Sequence, residues 1–169
     1  MSYVKYHGRQ GKFRKCREEG SKRAQLARLK QRRFAFLEIL EMIKLKRVYD
    51  KENPDDGVRY LVERLWPRGV KKTSLRINGW LKNAAPSTEL RRWFSHDPEK
   101  WQEFRRKYFV ELGRAPEAWA PIRDAARRAN VTLLYSSHDT EHNNAVALKE
   151  FIEHQGAARI RTAGGHTAH

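Results

Sequence analysis

From Met42 onward the apolar residues fall into short runs and helical stripes, separated by turn-forming clusters. Ile43–Tyr49 is short and rich in β-branched and aromatic residues, which predicts a strand. Asn53-Pro54-Asp55-Asp56-Gly57 is a strong turn cluster, and Val58–Leu65 reads as a second strand. The link between them is too short to hold a crossover helix. Antiparallel neighbours are therefore expected, unless another strand lies between the two. Pro67 and Gly69 break the chain in WPRG (Trp66–Gly69), and Leu75–Leu81 reads as a short helix interrupted by Gly79.

The middle of the chain is helical in pattern. Ser87 can cap a short helix ending at Phe94. Asp97-Pro98 is a stronger start signal, an N-cap residue followed by proline at the first helical position. After it, Trp101, Phe104, Tyr108 and Leu112 recur at spacings of three and four and share one face, with Gly113 as the expected end. Pro116 opens another helix, with Trp119, Ile122 and Ala126 inward, Arg123, Arg127 and Arg128 outward, and Asn130 closing it.

Val131–Tyr135 is the clearest strand. Its apolar residues are nearly continuous, the habit of a strand covered on both faces. Ser136-Ser137-His138-Asp139 follows, then a helix expected from Thr140 to His154 and buried through Ala145, Leu148 and Ile152. The order predicts an α/β fold: a single three-layer domain over residues 42–154, with a small mostly parallel or mixed sheet and flanking helices. Residues 155–169 are expected to form a flexible tail. Residues 1–20 are polar and basic and read as disordered. Residues 21–41, with Leu26, Leu29, Phe36, Leu37 and Leu40, read as a helix with a ragged apolar face.

Charge adds a second division. The formal net charge is +16, and residues 1–41 hold half of it, with twelve Lys/Arg against four Glu. That sign favours anionic partners in general without choosing among them. The single cysteine, Cys16, excludes an intrachain disulfide and a cysteine zinc cluster, and it fits a reducing compartment. No stretch of eighteen apolar residues exists to span a membrane, and no apolar core follows the basic start as a signal peptide requires. Glu18, Glu19 and Glu38 argue against a transit peptide. The expected location is cytoplasmic.

Two segments carry candidate chemistry. Ser136–Asn144 sits where a central strand gives way to a helix, the usual ligand edge of an open α/β sheet. A helix start near Thr140 would offer backbone N–H groups to an anion. Ser136, Ser137 and Thr140 would add hydroxyls, and His138, Asp139 and His142 are the candidate acid–base groups. The plainer alternative is that Asp139 caps its own helix and the rest is solvated loop. In the second segment Arg64 and Arg68 flank Trp66 and Pro67, placed to grip a carboxylate or phosphate; the plainer alternative makes Trp66 core and both arginines surface groups. His138 and His142 with Asp139 fall short of a convincing metal set, so no metal and no cofactor are expected. Arg91, Arg92, Arg105, Arg106 and Lys107 sit on expected solvent-facing helix positions. That allows a nucleic-acid partner, although Glu99, Glu103 and Glu111 dilute the charge and no recognition signature appears.

Five segments, in order, resemble the YeaO-like branch of the family called domain of unknown function 488 (DUF488). They are IKLKRVYD (Ile43–Asp50), PDDG (Pro54–Gly57), LVERLWPRG (Leu61–Gly69), WLKNAAPSTELRRWFSHDPEKWQEFRRKY (Trp80–Tyr108) and VTLLYSSHDTEHNNAVALKEFI (Val131–Ile152). The resemblance implies a small bacterial-type intracellular α/β protein and implies no particular reaction. It points to Arg47, Arg64, Trp66, Pro67, Arg68, Gly69, Pro86, Trp93, Phe94, His96, His142, Asn143 and Asn144 as positions of interest. From these, Arg47 joins the anion-binding candidates, and Trp93, His96, Asn143 and Asn144 join Trp66 as supporting residues. Glu63 stands where the family pattern suggests Asp, and Ser95 where Gly is usual. Other branches carry a Cys-His-Arg run where this chain has His142-Asn143-Asn144, so thiol chemistry is not inherited. Residues 1–41 lie outside the resemblance. They are either a lineage extension or an upstream start chosen in error, the latter being the expectation.

The leading functional expectation is a small-molecule enzyme or ligand-binding domain with an anion site, in which Arg64, Arg68 and His142 converge in one cleft. A nucleic-acid-associated basic protein and a structural or protein-interaction domain are the rivals. Whether the chain is an enzyme, and its oligomeric state, stay open on sequence alone.

Overall fold

The computed structural model describes residues 42–162 and, upstream, residues 23, 24, 26, 27 and 30. Those five upstream residues are helical and exposed. The other readings for 1–41 and for 163–169 lie outside the described residues.

The described elements are β1 (Ile43–Arg47), β2 (Val58–Leu61), β3 (Gly79–Trp80), α1 (Thr88–Phe94), α2 (Trp101–Arg114), α3 (Pro116–Ala126), β4 (Val131–Tyr135) and α4 (Asn144–Thr162), with short 3-10 turns at Pro54–Asp56, Lys82–Ala84 and Pro98–Lys100. The strands form one sheet in the order β1-β4-β2-β3, and every pair is parallel. The antiparallel pairing expected for the first two strands is corrected: β4 inserts between them, with Leu133 opposite both Leu45 and Tyr60. Their link returns along the sheet as loop. Extended, residues 48–57 reach on the order of 33 Å, about twice the length of a five-residue strand, so no helix is needed.

The link is tied down by Gly57. Its φ is +63°, and a Cβ there would lie 2.1 Å from the Asn130 carbonyl oxygen, the acceptor of the Val58 N–H. β2 ends four residues earlier than expected. The expected helix at Leu75–Leu81 is instead loop and the two-residue strand β3, where Gly79 packs against the Tyr60 ring.

All five β4 residues are buried, so both faces of this strand are covered. Val131, Leu133 and Tyr135 face the larger core, which holds Phe104, Tyr108 and Leu112 of α2, Trp119 and Ile122 of α3, and Leu148 and Phe151 of α4. Leu134 alternates to the other face and packs with Val48, Leu61 and Leu75, with Trp66, Val70, Ile77 and Trp80 around them. The sheet is thus flanked by helices on one side, and the layer on the other side is built from loop. α4 begins at Asn144 rather than Thr140, and it continues past His154 to Thr162, through the first part of the expected flexible tail.

Candidate functional site

Because the strands are parallel, their C-terminal ends meet at one edge. There the chain leaves β2 into Glu63–Gly69 and leaves β4 into Ser136–Asn143. These two segments, with Arg91 and Phe94 of α1 and His96 beyond it, line a cleft of about 600 Å³. This is the size of an ordinary small-ligand site.

Each wall is held by its own bonds. Val62 donates its backbone N–H to Leu134, and the Glu63 carbonyl accepts the Trp80 indole N–H at 2.7 Å. Trp66 gives its indole N–H to the Val70 carbonyl and meets Trp80 edge-on at 5.2 Å. Its ring therefore belongs to the smaller core as much as to the cleft. Ser95 and His96 follow α1 with φ of +46° and +57°. Two successive non-glycine residues in the left-handed region are strained, and here they turn His96 toward the cleft.

The opposite wall is a chain of local caps. Asp139 accepts the backbone N–H groups of Glu141 and His142, each at 2.8 Å, and lies 2.9 Å from His142 Nδ1. Those contacts, the His142 backbone N–H first, hold its carboxyl below the usual range. Buried Asn143 is the true cap of α4: its Oδ1 accepts from Ala145 and Val146, and its Nδ2 donates to the Asp139 carbonyl. The free helix N-terminus expected near Thr140 is therefore corrected. The helix starts later, and its first donors are taken by Asn143. His142 precedes the cap and does not lie in the first helical turn.

The structure brings Arg64, Arg68, Trp66, His96, Ser136, Ser137, His138, Asp139, Asn143 and Asn144 to the cleft. Arg47 stands beside it, with Nε donating to the Ser137 carbonyl at 3.1 Å and Nη2 3.2 Å from His138 Nδ1. The other candidates lie elsewhere. His142 turns its ring to the edge of Trp101, 5.3 Å away, and is not among the lining residues, so the expected convergence with Arg64 and Arg68 does not occur. Thr140 is exposed outside the cleft. Trp93 packs under Lys107 Nζ, which lies 3.9 Å from its ring centre. Among the described residues no three His, Cys, Asp or Glu side chains converge as a metal-binding group.

Two residues absent from the expected anion site prove central to the geometry, one of them Arg91, expected instead on a solvent-facing helix position. Glu63 Oε1 accepts the Ser136 backbone N–H at 2.9 Å and its hydroxyl at 3.2 Å, so both Ser136 donors are engaged within the protein. Burial pushes the Glu63 carboxyl up, and the Ser136 bonds with the charges of His96 and Arg91 only partly offset it. Arg91 points into the cleft wall, and its Nε is buried with no acceptor among the described residues. Helical spacing could have found it: three residues before buried Phe94, it falls on the same side of the helix. Arg92 is the exposed one. Arg64, Arg68 and Arg91 take part in no ion pair among the described residues.

A family model described as the inactive DUF488-N3 subclade matches residues 42–166. The uncharacterized protein YeaO of Escherichia coli (strain K12) is 42% identical over 110 residues, 65% of this chain and 96% of that protein. An uncharacterized protein of Mycobacterium tuberculosis (strain ATCC 25618 / H37Rv) is 37% identical over 110 residues, 65% of this chain and 92% of its own. No solved structure matches this chain. The description of the matching subclade as inactive overturns the expectation of a small-molecule enzyme. The local bonds agree with that correction: Asp139 and His142 are committed to each other and to the loop backbone, and His142 does not line the cleft.

Proposed function

We propose, from the premise that this chain belongs to the inactive DUF488-N3 subclade, in the YeaO-like branch of the DUF488 family, that its domain binds a small anionic ligand without converting it. One observation carries this reading: Arg64, Arg68 and Arg91 line a single cleft, and none is neutralised by an ion pair among the described residues. Like charges gathered in a partly buried space repel one another, and an anion there relieves that repulsion while accepting directed guanidinium bonds. Arg47 supports the wall through Ser137 and His138. The Ser137 hydroxyl accepts from the Asp139 N–H, which leaves its own O–H to donate to the anion.

A nucleic-acid partner is less well supported. Arg105 pairs with Glu150 and bonds Gln102, and Lys107 pairs with Glu103, so much of the basic helix surface is met within the protein. The proposal includes a cytoplasmic location, which the lone cysteine fits. No helix among the described residues is long and apolar enough to cross a membrane.

Calorimetric titration with inorganic phosphate tests the reading. The wild-type protein is expected to bind phosphate, and Arg64→Ala/Arg68→Ala to bind it at least about tenfold more weakly while remaining folded, since each charged bond contributes about 1.5–3 kcal/mol. Absence of binding to the wild-type protein, or equal binding by both, overturns it.

A further inference from the structure

The cleft is not uniformly cationic. Glu63 stands half-buried among the lining residues with Arg64 and Arg68, and the charges of His96 and of Arg91 on α1 reach its carboxyl. Its two oxygens have different fates. Oε1 is held by both donors of Ser136, which fixes the direction of the carboxylate. Oε2 receives no hydrogen bond among the described residues, and it is not sealed from solvent. Asp139, the other carboxylate on the lining, is used up by the Glu141 and His142 backbone and the His142 ring.

A partly desolvated carboxylate with one bare oxygen calls for a donor. A carboxylate ligand supplies none, and any anion is repelled by the Glu63 charge. The arginines call for the opposite group. Leu65, Pro67, Pro86, Phe94 and Phe104 add apolar surface to the same lining. Leu65 is 60% exposed at the mouth, with Tyr49 at 50%, so an apolar frame has surface to cover there.

Resting on the anion reading above, we infer that the cleft recognises a zwitterion of the amino acid or short-peptide class. Its anionic group lies against Arg64, Arg68 and Arg91, its cationic nitrogen donates to Glu63 Oε2, and its apolar frame lies on the apolar part of the lining. Glu63 then selects against plain anions, because it rewards only a ligand that brings its own positive charge. A purely structural Glu63 would need Oε1 alone. Glu63→Gln separates the two roles, since the amide oxygen still accepts from Ser136 while the charge is gone.

The test compares two ligand pairs by calorimetry on the full chain. L-leucine is set against 4-methylpentanoate, and leucyl-leucine against 4-methylpentanoyl-leucine; the second member of each keeps the frame and carboxylate but lacks the amino group. Inorganic phosphate serves as the reference anion. At least one amino compound is expected to bind about tenfold more tightly than its partner, as a charge-assisted bond allows. Glu63→Gln should erase that advantage while phosphate still binds. Equal affinity within both pairs, or an advantage that survives Glu63→Gln, overturns the zwitterion and leaves the anion reading standing if phosphate binds. Failure of phosphate binding as well overturns both.

Discussion

β2 is only four residues long, yet charged clusters of opposite character sit at its two ends. At its start Asp56 is buried and fully engaged. Lys46 Nζ lies 2.9 and 3.0 Å from its two oxygens, Arg59 Nε lies 3.5 Å away, and its carboxylate also accepts the Asn53 backbone N–H. Arg59 reaches Glu52 as well, at 3.3 Å, and Thr132 donates its hydroxyl to the Asp56 carbonyl. Beyond the end of the strand, Arg64, Arg68 and Arg91 line one cleft and make no ion pair among the described residues. Arg59 and Arg91 both have a buried Nε lacking a hydrogen bond, but among the described residues only Arg59 has a carboxylate within ion-pair distance.

The acids report the same contrast. Burial raises the Asp56 carboxyl, but the Lys46 bond, the Asn53 backbone and the charges of Lys46 and Arg59 outweigh it, and the net shift is downward. At Glu63 burial prevails and the shift is upward. Charge matched within the protein serves the fold, whereas charge that converges and stays unmatched is what a ligand can use.

The largest expected effect comes from breaking the matched cluster. Asp56→Ala leaves Lys46 and Arg59 partly buried without their shared acid and should cost about 3 kcal/mol in urea unfolding. A loss near zero would mean that the cluster is not stabilising. Asn143→Ala removes the cap of α4 and should cost about 1–2 kcal/mol, measured the same way; Thr140→Ala should cost far less, and the reverse order would restore a helix start at Thr140. Arg91→Leu removes a buried donor with no acceptor. It should be neutral or raise stability by up to about 1 kcal/mol in thermal melts while weakening phosphate binding, and a clear loss of stability would place Arg91 among the structural charges.

The smallest effect depends on pH. Because the folded-state carboxyl of Glu63 titrates above 4.5, its contribution to stability is fully present below that pH and falls as pH rises through the folded value. Glu63→Gln lacks this fall. Its stability relative to wild type should therefore grow as pH rises from 4.5 toward neutrality, and a difference that shrinks over that range would contradict the upward shift.

Much of the framework was legible in the sequence because it depends on local pattern. The apolar run of β4, the inward stripes of α2 and α3, and the Ser87 and Asp97 start signals all answer to spacing or capping. Strand order was not legible, since nothing local to β1 and β2 says that β4 lies between them. β3 has two residues, too few for any periodicity. The sequence does not fix the start of α4, because Asp139 and Asn143 are both good caps; Asp139 closes only a turn, and Asn143 begins the helix. In the candidate site the arginines of the WPRG segment were visible from their motif. Glu63 stands out in the sequence only as a departure from a family pattern, and its role depends on Ser136, far away in sequence. Arg91 was hidden by a run of neighbouring charges that made its helix face look solvated.

The most direct test of the contrast is to observe the arginine Nε–H signals by NMR while inorganic phosphate is added. The Nε–H resonances of Arg64, Arg68 and Arg91 should shift together and saturate, while that of Arg59, held between Asp56 and Glu52, stays in place. Shifts at Arg59 equal to those at the cleft, or no saturable shift at the three cleft arginines, would contradict the account.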